Sequence, residues 1–163
     1  MLISAFDDIG AKPGDYSPEA LMDEIDAMND RVYDNVNNGV YKSGFATKQE
    51  VYEEEVTNVF KVLDELEEHL ENRKYLVGDQ LTEADIRLFT TLVRFDAVYY
   101  SHFKCNFKRI VDYPNLWRLT REIYNIEGVP ETVNMQHIKD HYYISHKTIN
   151  PTGIVPKGPE LDF

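Results

Sequence analysis

Apolar residues recur three and four positions apart from Leu21 through Ile25, Met28, Val32, Val36 and Val40, which predicts one amphipathic helix opening at Ser17-Pro18-Glu19. In that reading Ser17 is the N-cap and Pro18 sits at the first helical position, where a missing N–H is no loss. Asn37-Asn38-Gly39 then offers a left-handed C-cap, and Tyr41 to Phe45 becomes a connection around Gly44. Thr47-Lys48-Gln49-Glu50 has the spacing of a capping box, so a second long helix is expected to follow. Its buried stripe is Val56, Val59, Phe60, Leu63, Leu66 and Leu70, ending near Asn72 before the turn at Gly78-Asp79.

The third helix has both devices that fix a helix entry. Thr82 is the N-cap with Asp85 at the third helical position, and Leu81 and Ile86 stand where a hydrophobic staple needs them. Ile86, Leu88, Phe89, Leu92, Val93, Phe95, Ala97 and Val98 leave almost no polar face, so this helix should be central. Asp85, Arg87, Arg94 and Asp96 must then find partners, because unpaired buried charge is costly.

Pro114-Asn115 opens a shorter helix that closes around Gly128, and Pro130 opens another that runs, with a break, to about Tyr143. From His146 onward the Pro- and Gly-containing tail has no helical or strand period and should be extended on the body or disordered. The expected fold class is all-α. Residues 1–16 read as a linker, 17–143 as a helical domain and 144–163 as an extended tail.

Charge narrows the partners. The 163 residues carry a formal net charge of -12, a field that repels phosphate backbones and anionic membranes, so neither nucleic acid nor membrane is expected. The acidic run Asp64, Glu65, Glu67, Glu68 and Glu71 is most simply a solvated helix face. One cysteine, Cys105, allows no intrachain disulfide and points to the cytoplasm.

Local candidates for chemistry are few. His137 and His141 have zinc-helix spacing, but the residue after His137 is Ile138 rather than glutamate, and a solvent-facing helix side is the simpler reading. Cys105 has basic neighbours that could make it nucleophilic, although a lone cysteine is more often a small buried hydrophobe. Eleven tyrosines are more than a chain of this size needs, and each offers an apolar plate with a polar handle.

Longer strings carry a resemblance. Leu81-Thr82-Glu83-Ala84-Asp85-Ile86 resembles the entry of the central helix in glutathione transferase C-terminal domains. Val36 to Ala46, Asp85 to Phe89, Leu92 to Tyr99, His102 to Asn106, Asp112 to Trp117 and the tail from His146 to Gly158 resemble the glutathionyl-hydroquinone reductases, the xi class of that superfamily. The resemblance covers nearly the whole chain. It implies a helical bundle that forms the wall of a hydroquinone pocket and much of a homodimer interface.

In that family a thiolate of a Cys-Pro-Trp-Ala motif, in a thioredoxin-like domain, attacks the sulfur of the glutathionyl-hydroquinone, and a second glutathione resolves the mixed disulfide. That motif and domain are expected to be missing from this chain, so glutathione is implied only as a co-substrate held by the missing half. The chain by itself is expected to bind no cofactor or metal and to be inactive, with no catalytic group of its own. Tyr41, Tyr99 and Tyr142 match tyrosines that face the aromatic substrate, while Cys105 matches a cysteine of the helical domain rather than the nucleophile. The competing reading is a stand-alone dimerisation or protein-interaction module of the same fold. A third is a binder that sequesters quinones. Exposed apolar residues beside the three tyrosines would favour the reductase reading, since an unpartnered apolar face marks a missing domain.

Overall fold

The amphipathic periods become six α-helices in the computed structural model, which describes residues 7–10 and 14–163; no strand occurs among them. They are α1 (Met22–Val32), α2 (Asn38–Gly44), α3 (Gln49–His69), α4 (Glu83–Arg94), α5 (Pro114–Tyr124) and α6 (Met135–Ser145). Five-residue π-helical stretches follow α1 at Tyr33–Asn37 and α4 at Phe95–Tyr99. Most of the expected linker over 1–16 falls outside the described residues. No described helix is long and apolar enough to cross a membrane.

The α4 helix is central, packing against α1, the first π stretch and α5, while α2 lies along α3. Leu88, Phe89, Leu92, Val93, Phe95, Ala97 and Val98 are all buried. Burying a side chain of this kind fully is worth about 1.5–3 kcal/mol, which makes this stripe the main anchor of the fold. The α3 stripe from Val56 to Leu70 is buried as its spacing requires.

Asp85 closes the entry to α4. Its Oδ2 accepts from the Thr82 N–H and hydroxyl, both at 2.9 Å, completing the capping box, and its Oδ1 accepts from the Leu76 N–H at 2.8 Å. One carboxylate therefore ties the helix start to the preceding loop. Leu81 packs half-buried against the core, but Ile86 is exposed on the outer side of α4, so the staple does not enclose it.

Three helix boundaries differ from the sequence reading. Ser17 does not cap a helix: its hydroxyl donates to Glu83, a 3-10 turn occupies Glu19–Leu21, and α1 starts at Met22. Asn37-Asn38-Gly39 does not stop the first helix, because the chain continues through the π stretch into α2. Gly39 serves packing instead: a Cβ there would stand 2.7 Å from Val59 Cγ2, so only glycine lets α2 approach α3 this closely. Thr47 forms no capping box, since the first helical bond runs from Tyr52 N–H to the Lys48 carbonyl and leaves Thr47 one residue outside.

The acidic run is more than a solvated face. Glu67 accepts from the Asn115 and Leu116 N–H groups at 2.9 and 2.8 Å and so caps the start of α5 across a helix-to-helix contact. Asp64 accepts from the Tyr113 hydroxyl at 2.7 Å. After α6 the chain lies on the body: Lys139 donates to the Lys157 carbonyl at 2.9 Å, and Phe163 stacks on Tyr124 with ring centroids 4.5 Å apart.

Candidate functional site: a tyrosine-lined pocket

Tyr41, Tyr99 and Tyr142 come from α2, the second π stretch and α6, and their hydroxyls converge. Tyr142 lies 2.5 Å from Tyr41 and 2.9 Å from Tyr99, making a linear chain of three phenols with Tyr142 at its centre. Tyr99 and Tyr142 are buried, whereas Tyr41 is 38% exposed and forms the outer end.

Both π stretches serve this convergence. A π turn adds a residue to the helical period and re-aims every side chain after it. The first precedes α2 and Tyr41. The second ends on Tyr99 and is closed by the Tyr100 N–H, which donates back across the stretch to the Phe95 carbonyl at 2.9 Å. Phe103 then supports the trio from beneath, stacked on Tyr99 at 5.5 Å and edge-on to Tyr41 at 5.2 Å and Tyr142 at 5.9 Å. Lys104 holds φ +59, a left-handed value that is uncommon outside glycine, and this bend turns Phe103 and Cys105 inward from opposite sides of it.

The chemistry of the trio follows from its burial. Desolvation, then the neighbouring Tyr142, pushes Tyr99 far above the usual phenol range. Burial, then the bond to Tyr41, pushes Tyr142 up to about 12. Both phenols keep their protons at neutral pH. They can donate hydrogen bonds but cannot act as phenolate bases.

A pocket of about 350 Å³ opens over these hydroxyls, and Asn37, Thr91 and Arg94 line it with them. The Asn37 amide is held by bonds to Thr91 Oγ1 at 2.6 Å and the Arg87 carbonyl at 3.1 Å. In the sequence Asn37 has the composition of a helix cap and Arg94 is only a charge in need of a partner. The pocket assigns both a place on its wall, and the unexplained charge inside an apolar helix was the one signal available.

The other candidates are elsewhere. Cys105 is fully buried, and desolvation pushes its thiol up to about 12 despite the nearby Lys104, so it stays a thiol. His137 and His141 are exposed on α6, and among the described residues no three His, Cys, Asp or Glu side chains are placed to share a metal. Asp96, like Asp85, is buried and satisfied, accepting from the Ile110 and Val111 N–H groups at 2.7 and 3.2 Å.

Comparison with known proteins agrees with this architecture. Residues 49–122 match the family described as the glutathione S-transferase C-terminal domain. The chain is 62% identical to glutathionyl-hydroquinone reductase PcpF of Sphingobium chlorophenolicum over 98% of its own length and 51% of that protein's. It is 59% identical to glutathionyl-hydroquinone reductase YqjG of Escherichia coli over 100% and 50%. The glutathione-bound structure of YqjG superposes with a TM-score of 0.97, covering 99% of this chain and 53% of that one. The xi transferase of Phanerochaete chrysosporium superposes at 0.94 with 53% identity, over 98% and 55%.

The fold and the family match therefore define a glutathione transferase C-terminal helical domain. Within that class, the chain belongs to the glutathionyl-hydroquinone reductase family, the xi glutathione transferases. It spans about half the length of the curated relatives it matches.

Proposed function

We propose that this chain is the aromatic-substrate half of a glutathione-dependent reductase of glutathionyl-hydroquinones. The observation that carries the reading is the convergence of the Tyr41, Tyr99 and Tyr142 hydroxyls on one pocket. A hydroquinone ring fits between phenol faces, and the phenol hydroxyls hydrogen-bond its oxygens. As the carbon–sulfur bond breaks, charge builds on the departing ring, and Tyr41, at the open end of the relay, is placed to donate to it. Tyr142 and Tyr99 support that donation through their own hydrogen bonds.

The thiolate that attacks sulfur, and the glutathione site, belong in this reading to a thioredoxin-like domain. Two features support this. Cys105, the chain's one thiol, is buried and held protonated. Beside the pocket an aromatic edge faces water, with Phe45 at 45% exposure stacked 6.4 Å from Tyr41. On the same reading residues 17–143 are the helical domain, 1–16 the linker toward the thioredoxin-like domain and 144–163 an extended tail. The working protein is then a cytoplasmic homodimer with glutathione as co-substrate.

The test is an assay with glutathione and a glutathionyl-hydroquinone. The 163-residue chain alone should show no turnover, and joining it to a thioredoxin-like half bearing Cys-Pro-Trp-Ala should give turnover that falls about 10²-fold or more in Tyr142→Phe and Tyr41→Phe, the scale of a general acid's contribution. Turnover by the chain alone that is abolished by Cys105→Ser would sink the reading.

A further inference from the structure

Arg94, the last residue of α4, lines the tyrosine pocket and also a second hollow of about 260 Å³ bordered by Val93, Asn134 and His137. It is half-buried, and its Nη1 donates to the Thr90 carbonyl at 2.5 Å, one turn back on its own helix. Arg31, Arg87, Arg109 and Arg118 each pair with a carboxylate; Arg94, like Arg73 and Arg121, forms no ion pair with any described residue, and of these three it alone lines the tyrosine pocket. No carboxylate lines either hollow, although 29 of the 163 residues are acidic. The site is thus a local reversal of sign on a strongly negative protein.

A half-buried guanidinium with donors to spare is an incomplete ion pair, and the geometry says what would complete it. Its planar fork suits an oxyanion, and one cation matches one negative charge rather than the two of a phosphate. The tyrosine rings beside it require that the charge be attached to something flat and apolar. We propose that Arg94 selects aromatic ligands that enter the pocket as phenolates, its guanidinium pairing with the ionised ring oxygen. This rests on the pocket being an aromatic site and adds the charge state of what it takes. The Arg94 charge already acts across the pocket, pulling the Tyr142 phenol down against the effect of burial.

The same charge has a use in the reaction proposed above. The leaving hydroquinone carries developing negative charge, and a cation at the rim holds that charge without donating a proton. Tyr41 then supplies the hydrogen bond and Arg94 the field, so acidic quinols should be favoured both as ligands and as leaving groups.

Two fluorinated probes separate the possibilities, each read by ¹⁹F NMR titration on the 163-residue chain at neutral pH: pentafluorophenol, which is ionised there, and 4-fluorophenol, which is not. Pentafluorophenol should bind at least about tenfold more tightly, the scale of a hydrogen bond to a charged partner. Arg94→Gln should bring the two affinities together, while Arg94→Lys should keep part of the preference. In the unaltered chain the preference should also shrink as pH falls through the ionisation of pentafluorophenol; attraction through hydrophobicity alone would make it grow.

Equal binding of the two probes, or a preference untouched by Arg94→Gln, overturns the role of Arg94. If in that case Tyr142→Phe weakens both probes alike, the aromatic pocket still stands. If neither probe binds, both readings fall together. Should the glutamine variant fail to fold, the pH series on the unaltered chain decides.

Discussion

The Tyr41 hydroxyl lies 2.5 Å from that of Tyr142, although 101 residues separate them along the chain. This contact joins a half-exposed phenol on α2 to a buried one on α6 and, through it, to Tyr99. Tyr142 is therefore the central hydroxyl, within 2.9 Å of both others. Replacing it with phenylalanine leaves the buried Tyr99 hydroxyl without its partner, which should cost about 1–3 kcal/mol. Tyr41→Phe, at the wet end, should cost under about 1 kcal/mol, because water replaces the lost bond. Urea melts of the two variants measure the difference, and equal losses would argue against a relay centred on Tyr142.

The relay also has a spectroscopic signature. Tyr142 should not ionise until about pH 12, and Tyr99 should still be protonated there. A near-ultraviolet titration of the folded chain should show at least two of the eleven tyrosines lagging behind the rest. In Tyr142→Phe the lagging fraction should shrink. Full phenolate signal at ordinary phenol pH, with the fold intact by circular dichroism, would contradict the buried geometry.

The bundle was legible in the sequence because apolar periods and one strong capping pair report burial directly. Leu88 through Val98 and the Thr82–Asp85 box needed no tertiary information. What stayed hidden was contact between distant segments. Asn37-Asn38-Gly39 has the composition of a helix end, yet the chain continues because Gly39 makes room for Val59 and Asn37 bonds to Thr91. Glu67 looked solvated because nothing local reveals that the N-terminus of α5 arrives beside it. The tyrosines were placed by family resemblance, and their convergence depends on two π stretches with no period of their own.

Asp85 tests the α4 entry. Its two oxygens accept three hydrogen bonds, one from Leu76 and two from Thr82. Asparagine keeps one oxygen and turns a second donor toward donors, so Asp85→Asn should cost about 1–3 kcal/mol and Asp85→Ala more. Hydrogen exchange at the Leu76 and Thr82 amides should accelerate together in both variants. Acceleration at Thr82 alone would mean that the loop is held by something else.

His102 sets an acid limit on stability. It is buried with its Nε2 3.2 Å from Nδ1 of His146, and desolvation, then the charge of His146, lowers its pKa to about 4. Burial likewise lowers His146. A lowered folded-state value means that the unfolded chain binds the proton first. The stabilisation is therefore complete above about pH 6.5 and is lost as pH falls through about 4. Asp85 and Asp96, raised by burial, act in the opposite sense in their own range. Denaturant midpoints should fall on acidification across the histidine window, and His102→Gln, which keeps a polar side chain but cannot titrate there, should flatten that slope. An unchanged slope would place the acid sensitivity elsewhere.

Gly44 links the bundle to the site. A Cβ there would stand 2.2 Å from both Cδ1 and Cγ of Phe103, inside any permitted contact, and Phe103 is fully buried with little room to retreat. Overpacking of this kind costs about 1–3 kcal/mol, occasionally more. Its direction matters more than its size, because Phe103 is the ring on which Tyr99 stacks and against which Tyr41 and Tyr142 stand edge-on. Gly44→Ala should therefore weaken phenol binding by a larger factor than a substitution of equal destabilisation in the distant part of the core, such as Leu63→Val on α3. Measuring stability by urea melts and binding by titration on both variants separates the effects. Equal loss of binding at equal loss of stability would mean that the tyrosines do not depend on Phe103 for their arrangement.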